Sequence, residues 1–172
     1  VLVGLVMKPY QYYKNYKLRG APRKCICIVG GGFGGLYTAL ELANTIDSCT
    51  DIYLIDPKSY FVFLPLLYEY FVRSSSLVEV APEYATLLSG SVIKHVKGSV
   101  DSIDPSNRCI TISFENGECS PLEYHVLILA CGTQPNIDTI PGAREHAIPF
   151  YTIDAANTLK KKVDKITRDK SI

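Results

Sequence analysis

The chain carries no excess of charge of either sign: 18 lysines and arginines stand against 17 aspartates and glutamates. A balance of that kind gives no general pull toward nucleic acid or an anionic surface. No stretch reaches the roughly 18–20 apolar residues of a membrane-spanning helix, and Val1 to Met7 is too short to cross a bilayer. Among the cysteines (Cys25, Cys27, Cys49, Cys109, Cys119 and Cys131) there is no C-x-x-C and no Cys/His ligand spacing. That leaves no metal site to assign and no paired-cysteine redox motif. Internal repeats and low-complexity segments are absent too, and 172 residues suit one domain with a sizeable core. Cys25 and Cys27 lie two apart on a predicted strand, so they share a face and are expected as buried, reduced thiols.

What is present is concentrated in residues 25–56. Cys25-Ile26-Cys27-Ile28-Val29 is a short apolar run that ends at Gly30-Gly31-Gly32-Phe33-Gly34-Gly35. A helical segment from Leu36 to Asn44 follows, then a second apolar run, Ile52 to Ile55, closed by Asp56. Gly30, Gly32 and Gly35 give G-x-G-x-x-G, with an acid about 20 residues further on, as a dinucleotide-binding βαβ unit requires. Each part has a physical task. Gly30 permits the tight turn, Gly32 lets backbone approach a pyrophosphate, and Gly35 lets the helix lie close to the strand. The helix N-terminus presents amides and a partial positive charge to the diphosphate. Asp56 can accept both ribose hydroxyls and would repel a 2′-phosphate, which disfavours NADP in this site.

Along the rest of the chain, Leu36, Ala39, Leu40 and Ala43 form a stripe by which the helix can lie on a sheet. Tyr60 to Tyr68 is aromatic with Pro65 inside it, which predicts a buried loop leading into a short helix. Leu77 to Leu88 is a helix candidate with Pro82 near its first turn and Gly90 past its end. Val92–Val96, Ser99–Ile103 and Cys109–Phe114 are β-branched runs, with turns at Asp104–Asn107 and Glu115–Glu118. They predict a β-meander where a regular doubly wound fold would place a helix. Tyr124 to Ala130 is nearly all apolar, as expected of a central parallel strand buried on both faces, and it ends at Cys131-Gly132-Thr133. A lysine-rich helix is predicted from near Thr152. The meander favours FAD over NAD as the dinucleotide, because NAD units continue with alternating strand and helix.

With these elements in place the sequence resembles the type II NAD(P)H:quinone oxidoreductases, most closely the chloroplast and cyanobacterial branch. The resemblance is carried by Ile28 to Leu42, by Phe61-Val62-Phe63-Leu64-Pro65-Leu66-Leu67-Tyr68-Glu69, by Tyr124 to Gly132, and by Ile140 to Thr152. It implies an α/β fold, a Rossmann-like FAD-binding domain of the two-dinucleotide-binding-fold flavoproteins, with a parallel sheet and a β-meander. It implies that Gly30, Gly32, Phe33, Gly34, Gly35 and Asp56, with Pro57 beside it, hold the ADP part of FAD. Phe63, Pro65 and Leu66 match the segment near the flavin, Val100 the position whose backbone meets adenine, and Ala130, Cys131 and Gly132 the A-x-G element. Catalysis in the family is cofactor chemistry, hydride from NAD(P)H to FAD and electrons on to a quinone, so no catalytic side chain is assigned. Glu83, His125 and Cys131 depart from the family pattern, and His95 and His146 are read as surface or polar-loop residues.

The expected organisation is an N-terminal arm over 1–22, the N-terminal portion of an FAD-binding domain over 23–152, and a helix over 153–172 leading toward a missing NAD(P)H-binding domain. The aromatic-basic stretch 8–24 is read as a loosely packed arm, and a first residue of Val points to a processing site or the edge of an ordered region. Expected partners are the remaining half of the same protein or subunits of a larger complex, together with quinone and NAD(P)H, and no nucleic acid. An organelle, mitochondrion or chloroplast, with peripheral membrane association, is the expected place. The alternative is a non-catalytic, FAD-binding accessory subunit of a respiratory or photosynthetic assembly. Either way, a partner is expected to cover apolar surface left open by the lost half.

Overall fold

Lys24–Val29 forms β1, and its alternating side chains divide the first unit of the molecule into layers. The structure, a computed structural model, describes residues 23–47 and 49–169, so the arm read over 1–22 lies outside the described residues. After β1 come α1 (Phe33–Thr45), β2 (Thr50–Asp56), a 3-10 turn at Leu64–Leu66, α2 (Leu67–Phe71), α3 (Leu77–Val80) and α4 (Tyr84–Leu87). Then follow β3 (Ile93–Lys97), β4 (Ser99–Asp104), β5 (Cys109–Ser113), β6 (Cys119–Glu123), β7 (Val126–Leu129), α5 (Ala143–His146) and α6 (Ile153–Asp169). The chain divides into two compact units: residues through Lys58 with Leu88–Ala130, and Ser59–Leu87 with the segment from Cys131 onward.

In the first unit, β3, β2, β1 and β7 make a parallel sheet in that order, with Val29 paired to both Ile55 and Leu129. The register brings the carboxyl ends of β1, β2 and β7 to one edge. On one face Ile28, Ile52 and Leu54 are buried, and α1 buries Gly35, Leu36, Ala39 and Ala43. On the other face Cys27 and Ile55 pack with Ile110 and Ile112 of β5. The antiparallel sheet β4-β5-β6 therefore occupies the face where a second crossover helix would otherwise lie. Cys25 and Cys27 do share that face, with sulfurs 3.7 Å apart, and neither is in a disulfide. Burial, with Cys25 beside it, pushes the Cys27 thiol up to about 12, so this pair is not a reactive thiolate.

In the first unit three sequence expectations differ from the structure. The run Val92–Val96 is not part of the meander: Ile93–Lys97 joins the parallel sheet beside β2. The third meander strand is Cys119–Glu123, which Pro121 disguised; proline is tolerated there because β6 is an edge strand. The segment Tyr124–Ala130 is not a strand buried on both faces. β7 pairs only with β1 among the described residues and lies at the sheet edge, with Val126 48% and Leu129 60% exposed.

The second unit is built on a cluster of Leu67, Val80, Ala81, Ile153 and Ala156, against which Tyr60, Val62, Leu64, Leu66 and Tyr70 pack. The loop into a short helix predicted around Pro65 is present as the 3-10 turn and α2. The helix predicted over Leu77–Leu88 is instead two helices. Pro82 offers no amide and disfavours the helical region for Ala81, whose φ and ψ are −134° and 64°. The freed Pro82 carbonyl accepts the Phe61 amide at 3.0 Å. α3 opens on a capping box, with Ser76 and Glu79 each closing the other's backbone amide.

Candidate functional site

At the carboxyl edge of the parallel sheet the chain turns sharply out of β1. Gly30 has φ of 100°, a left-handed conformation that a side chain resists, and its amide donates to the Ile55 carbonyl at 2.8 Å. A Cβ on Gly35 would stand 1.7 Å from the Gly30 carbonyl oxygen and 3.4 Å from Ile28 Cγ2. α1 can therefore rise directly from the strand end only with glycine at this position. At Gly32 the situation is reversed: a Cβ would meet nothing within 4 Å. Gly32 is the N-cap of α1, with φ of −67° and extended ψ, so it needs glycine neither for conformation nor for internal packing. What its missing side chain leaves is open backbone at the helix N-terminus.

α1 has no side-chain cap and no acidic residue in its first turn, although the first amides of any helix lack intrahelical acceptors. Asp56, at the end of β2, instead anchors the turn: Oδ2 accepts the Gly31 amide at 2.6 Å and Oδ1 accepts the Lys58 amide at 2.9 Å. A carboxylate offers about four lone-pair positions, so two remain for hydroxyl donors. Ala130 closes the other side, with its amide donating to the Val29 carbonyl at 2.8 Å and its Cβ 3.8 Å from where one would stand on Gly34. Phe33, 38% exposed, stacks on Tyr37 with ring centroids 6.0 Å apart.

Of the residues singled out from sequence, Gly30, Gly32, Phe33, Gly34, Gly35, Asp56, Pro57 and Ala130 gather at this edge of the first unit. Val100 lies on β4, two residues past the β3–β4 corner, and packs against the Cys27–Ile110 cluster. Phe63, Pro65, Leu66, Cys131 and Gly132 belong to the second unit. There Phe63 donates its amide to the Val80 carbonyl at 2.8 Å, and Leu66 donates to the Phe63 carbonyl. Cys131 is exposed, and Gly132 has φ of 69°. His125 is tied to the opposite end of the sheet, where its Nδ1 accepts the Cys25 amide at 3.0 Å. Glu83 forms an isolated bridge with Tyr60. Sequence reading missed the amides of Gly31 and Lys58 as partners of Asp56; the acid–proline–lysine turn was the signal that could have found them.

The uncapped helix end, the open space at Gly32 and the doubly anchored carboxylate have the form that an adenosine diphosphate requires, with room for a diphosphate at the helix and acceptors for a ribose on the acid. The family described as pyridine nucleotide-disulphide oxidoreductase matches residues 24–171. The chain belongs to that family. Members of the pyridine nucleotide-disulphide oxidoreductase family bind FAD. Among relatives, the chain is 34% identical over 170 residues to an alternative NAD(P)H-ubiquinone oxidoreductase C1, chloroplastic/mitochondrial, of Arabidopsis thaliana, covering 90% of this chain and 32% of that one. It is 32% identical over 147 residues to a demethylphylloquinone reductase of Synechocystis, covering 84% of this chain and 36% of that one. Among solved structures, NDH2 of Plasmodium falciparum in complex with NADH superposes with TM-score 0.75 at 25% identity, over 87% of this chain and 30% of that one. The chain thus spans about a third of the length of the relatives it matches. The resemblance to type II NAD(P)H:quinone oxidoreductases and the expected fold class are both borne out.

Proposed function

We propose that this chain is the FAD-holding part of a type II NAD(P)H:quinone oxidoreductase. The observation that carries the reading is the Gly31–Asp56–Lys58 arrangement below an uncapped α1, in a chain of this family. Gly30 and Gly35 set the turn, Gly32 and Gly34 leave room for the diphosphate, and Asp56, with Pro57 fixing the chain behind it, receives the ribose hydroxyls. Phe33 shields the diphosphate side from water, and Ala130 limits the turn from β7. For Val100, Phe63, Pro65, Leu66, Cys131 and Gly132 the support is the family match alone. When bound, FAD supplies the hydride acceptance and electron release that join NAD(P)H oxidation to quinone reduction. The chain's own residues bind and orient, and none is assigned a proton transfer.

The relatives' names bring NAD(P)H and ubiquinone, or demethylphylloquinone, as the substrate classes, and a chloroplast or mitochondrion as the place. No helix among the described residues is long and apolar enough to cross a membrane. The alternative reading, a non-catalytic FAD-binding accessory subunit, uses the same site. Anaerobic addition of NADH to the purified, FAD-loaded protein separates the two. Bleaching of the flavin absorbance supports the enzyme reading. Retained but unbleached flavin supports the accessory reading, and failure to retain flavin overturns both.

A further inference from the structure

We propose that the exposed flank of α6, formed by Leu159, Val163 and Ile166 with Lys162 and Lys165 beside them, docks on an anionic lipid surface. This docking lies outside the FAD reading and does not depend on it. The overall charge balance of the chain conceals a local excess. The residues Lys160–Asp169 hold five of the 18 basic side chains and two of the 17 acidic ones, so the rest of the chain, 13 against 15, is net acidic. Lys161, Lys162, Lys165 and Arg168 are all exposed. None of the four makes an ion pair among the described residues. A cationic cluster of this kind on an otherwise acidic chain draws an anionic surface to one helix and to no other part.

The mounting of α6 decides which face remains open. Ile153 and Ala156 are buried in the core of the second unit. Asn157 Oδ1 accepts the Tyr70 hydroxyl at 2.7 Å, Lys160 Nζ lies 3.3 Å from the centre of the Tyr70 ring, and Asp164 pairs with Arg73. These five residues recur at helical spacing and commit one face of α6 to the unit itself. Leu159, Val163 and Ile166 follow the same spacing on a neighbouring strip that the unit leaves uncovered: Leu159 is half-buried, Val163 41% and Ile166 55% exposed. Lys162, three residues after Leu159 and four before Ile166, borders that strip, and Lys165 continues the border one turn on. A 17-residue helix with an apolar strip edged by lysine is the form that lies in the plane of a lipid surface, strip toward the acyl chains and ammonium groups at the phosphates. The type of cation selects lipid over an acidic protein. Arginine's planar fork reads an individual carboxylate, whereas lysine is a point charge on a flexible stem. Four of the five cations are lysine, and their stems can lie along the strip while the charge reaches the headgroups.

The test is cosedimentation of the full chain with vesicles of phosphatidylcholine and phosphatidylglycerol in equal parts, and with vesicles of phosphatidylcholine alone. Wild type should bind the mixed vesicles at least about tenfold more tightly. That preference should vanish in ~1 M salt, where the screening length falls to about 3 Å. Lys162→Gln and Lys165→Gln together should weaken binding to the mixed vesicles by roughly 25-fold, about fivefold for each cation near an anionic surface. Lys97→Gln, which removes a positive charge from the first unit, should leave it unchanged. Ile166→Asp alters an exposed side chain and should weaken it by at least about tenfold. Equal binding to the two kinds of vesicle, no vesicle binding by wild type, or unaltered binding by either α6 variant overturns the proposal. A concentration-dependent dimer that Ile166→Asp dissociates, with no vesicle binding, assigns the strip to a second copy and overturns it as well. FAD titration of the same proteins keeps the two readings apart: vesicle binding by a chain that holds no flavin supports the docking surface and overturns only the FAD site.

Discussion

The two units treat their helix ends in opposite ways. In the second unit α3 is closed by the reciprocal Ser76–Glu79 box, and α6 begins where Thr152 Oγ1 accepts the Ala155 amide at 3.1 Å. In the first unit the 13-residue α1 begins on glycine with neither cap nor acid. A capping side chain in place of this glycine would stabilise the helix by about a few tenths of a kcal/mol, and the sequence forgoes it. What separates the units is therefore how a helix start is treated: closed by side chains in one, and without a side-chain cap in the other, where the proposed site lies. The same contrast appears in packing, since the second unit fills its centre with Leu67, Val80 and Ile153, while the first leaves open space at Gly32.

The contrast breaks most severely at Gly35. Gly35→Ala places a methyl against the Gly30 carbonyl, an overpacking that costs about 3 kcal/mol and lowers the melting temperature by roughly 6–12 °C. Flavin binding should vanish in the same protein, as equilibrium dialysis would show. Asp56→Ala comes next. It removes the acceptor of two backbone amides and of the ribose, so FAD affinity should fall roughly 10–100-fold by fluorescence titration, with a smaller loss of stability. Gly32→Ala sharpens the comparison further, because fold and ligand separate there. Its conformation suits alanine and nothing stands near the new methyl. The melting temperature should therefore stay within about 2 °C while FAD binds about tenfold more weakly. Ser76→Ala is the converse: it should destabilise by about 1 kcal/mol and leave FAD affinity untouched.

The smallest effect is in pH dependence, and it lies away from the site. Asp51 is held below the ordinary carboxylate range by hydrogen bonds from Arg23 and then Lys94. Its folded value is depressed, so its contribution is present above the ordinary range and is lost as pH falls through the folded value. The difference in melting temperature between wild type and Asp51→Asn should shrink in acid. Cys27 runs the other way. Its raised thiol contributes fully below the ordinary thiol value, and that contribution fades as pH climbs toward about 12. Alkaline unfolding of Cys27→Ala should therefore depend less steeply on pH than that of wild type.

The legibility of the sequence follows the same division. β1, α1, β2 and Asp56 could be read because each is specified by near neighbours: an apolar run, a glycine turn, a 3.6-residue stripe, a strand-end acid. The two helices either side of Pro82 were joined in the reading because their apolar pattern is continuous, whereas Ala81 obeys the proline. β6 was passed over because Pro121 reads as a breaker unless the strand is known to lie at an edge. The apolar run of β7 looks the same in a central and an edge strand, and only the sheet order decides which it is. Gly98, at the β3–β4 corner, carried no motif at all; a Cβ there would stand 2.6 Å from Ile112 Cγ2 and 2.9 Å from the Ser113 carbonyl oxygen, neighbours that reach it only after the meander has folded.

The account's central claim is that the glycine turn with Asp56 holds the ADP half of FAD. Titration of the purified chain with FAD, repeated in the presence of excess ADP, tests it most directly. One FAD per chain, displaced competitively by ADP, is the predicted result. Failure to bind flavin, or bound flavin indifferent to ADP, would contradict it.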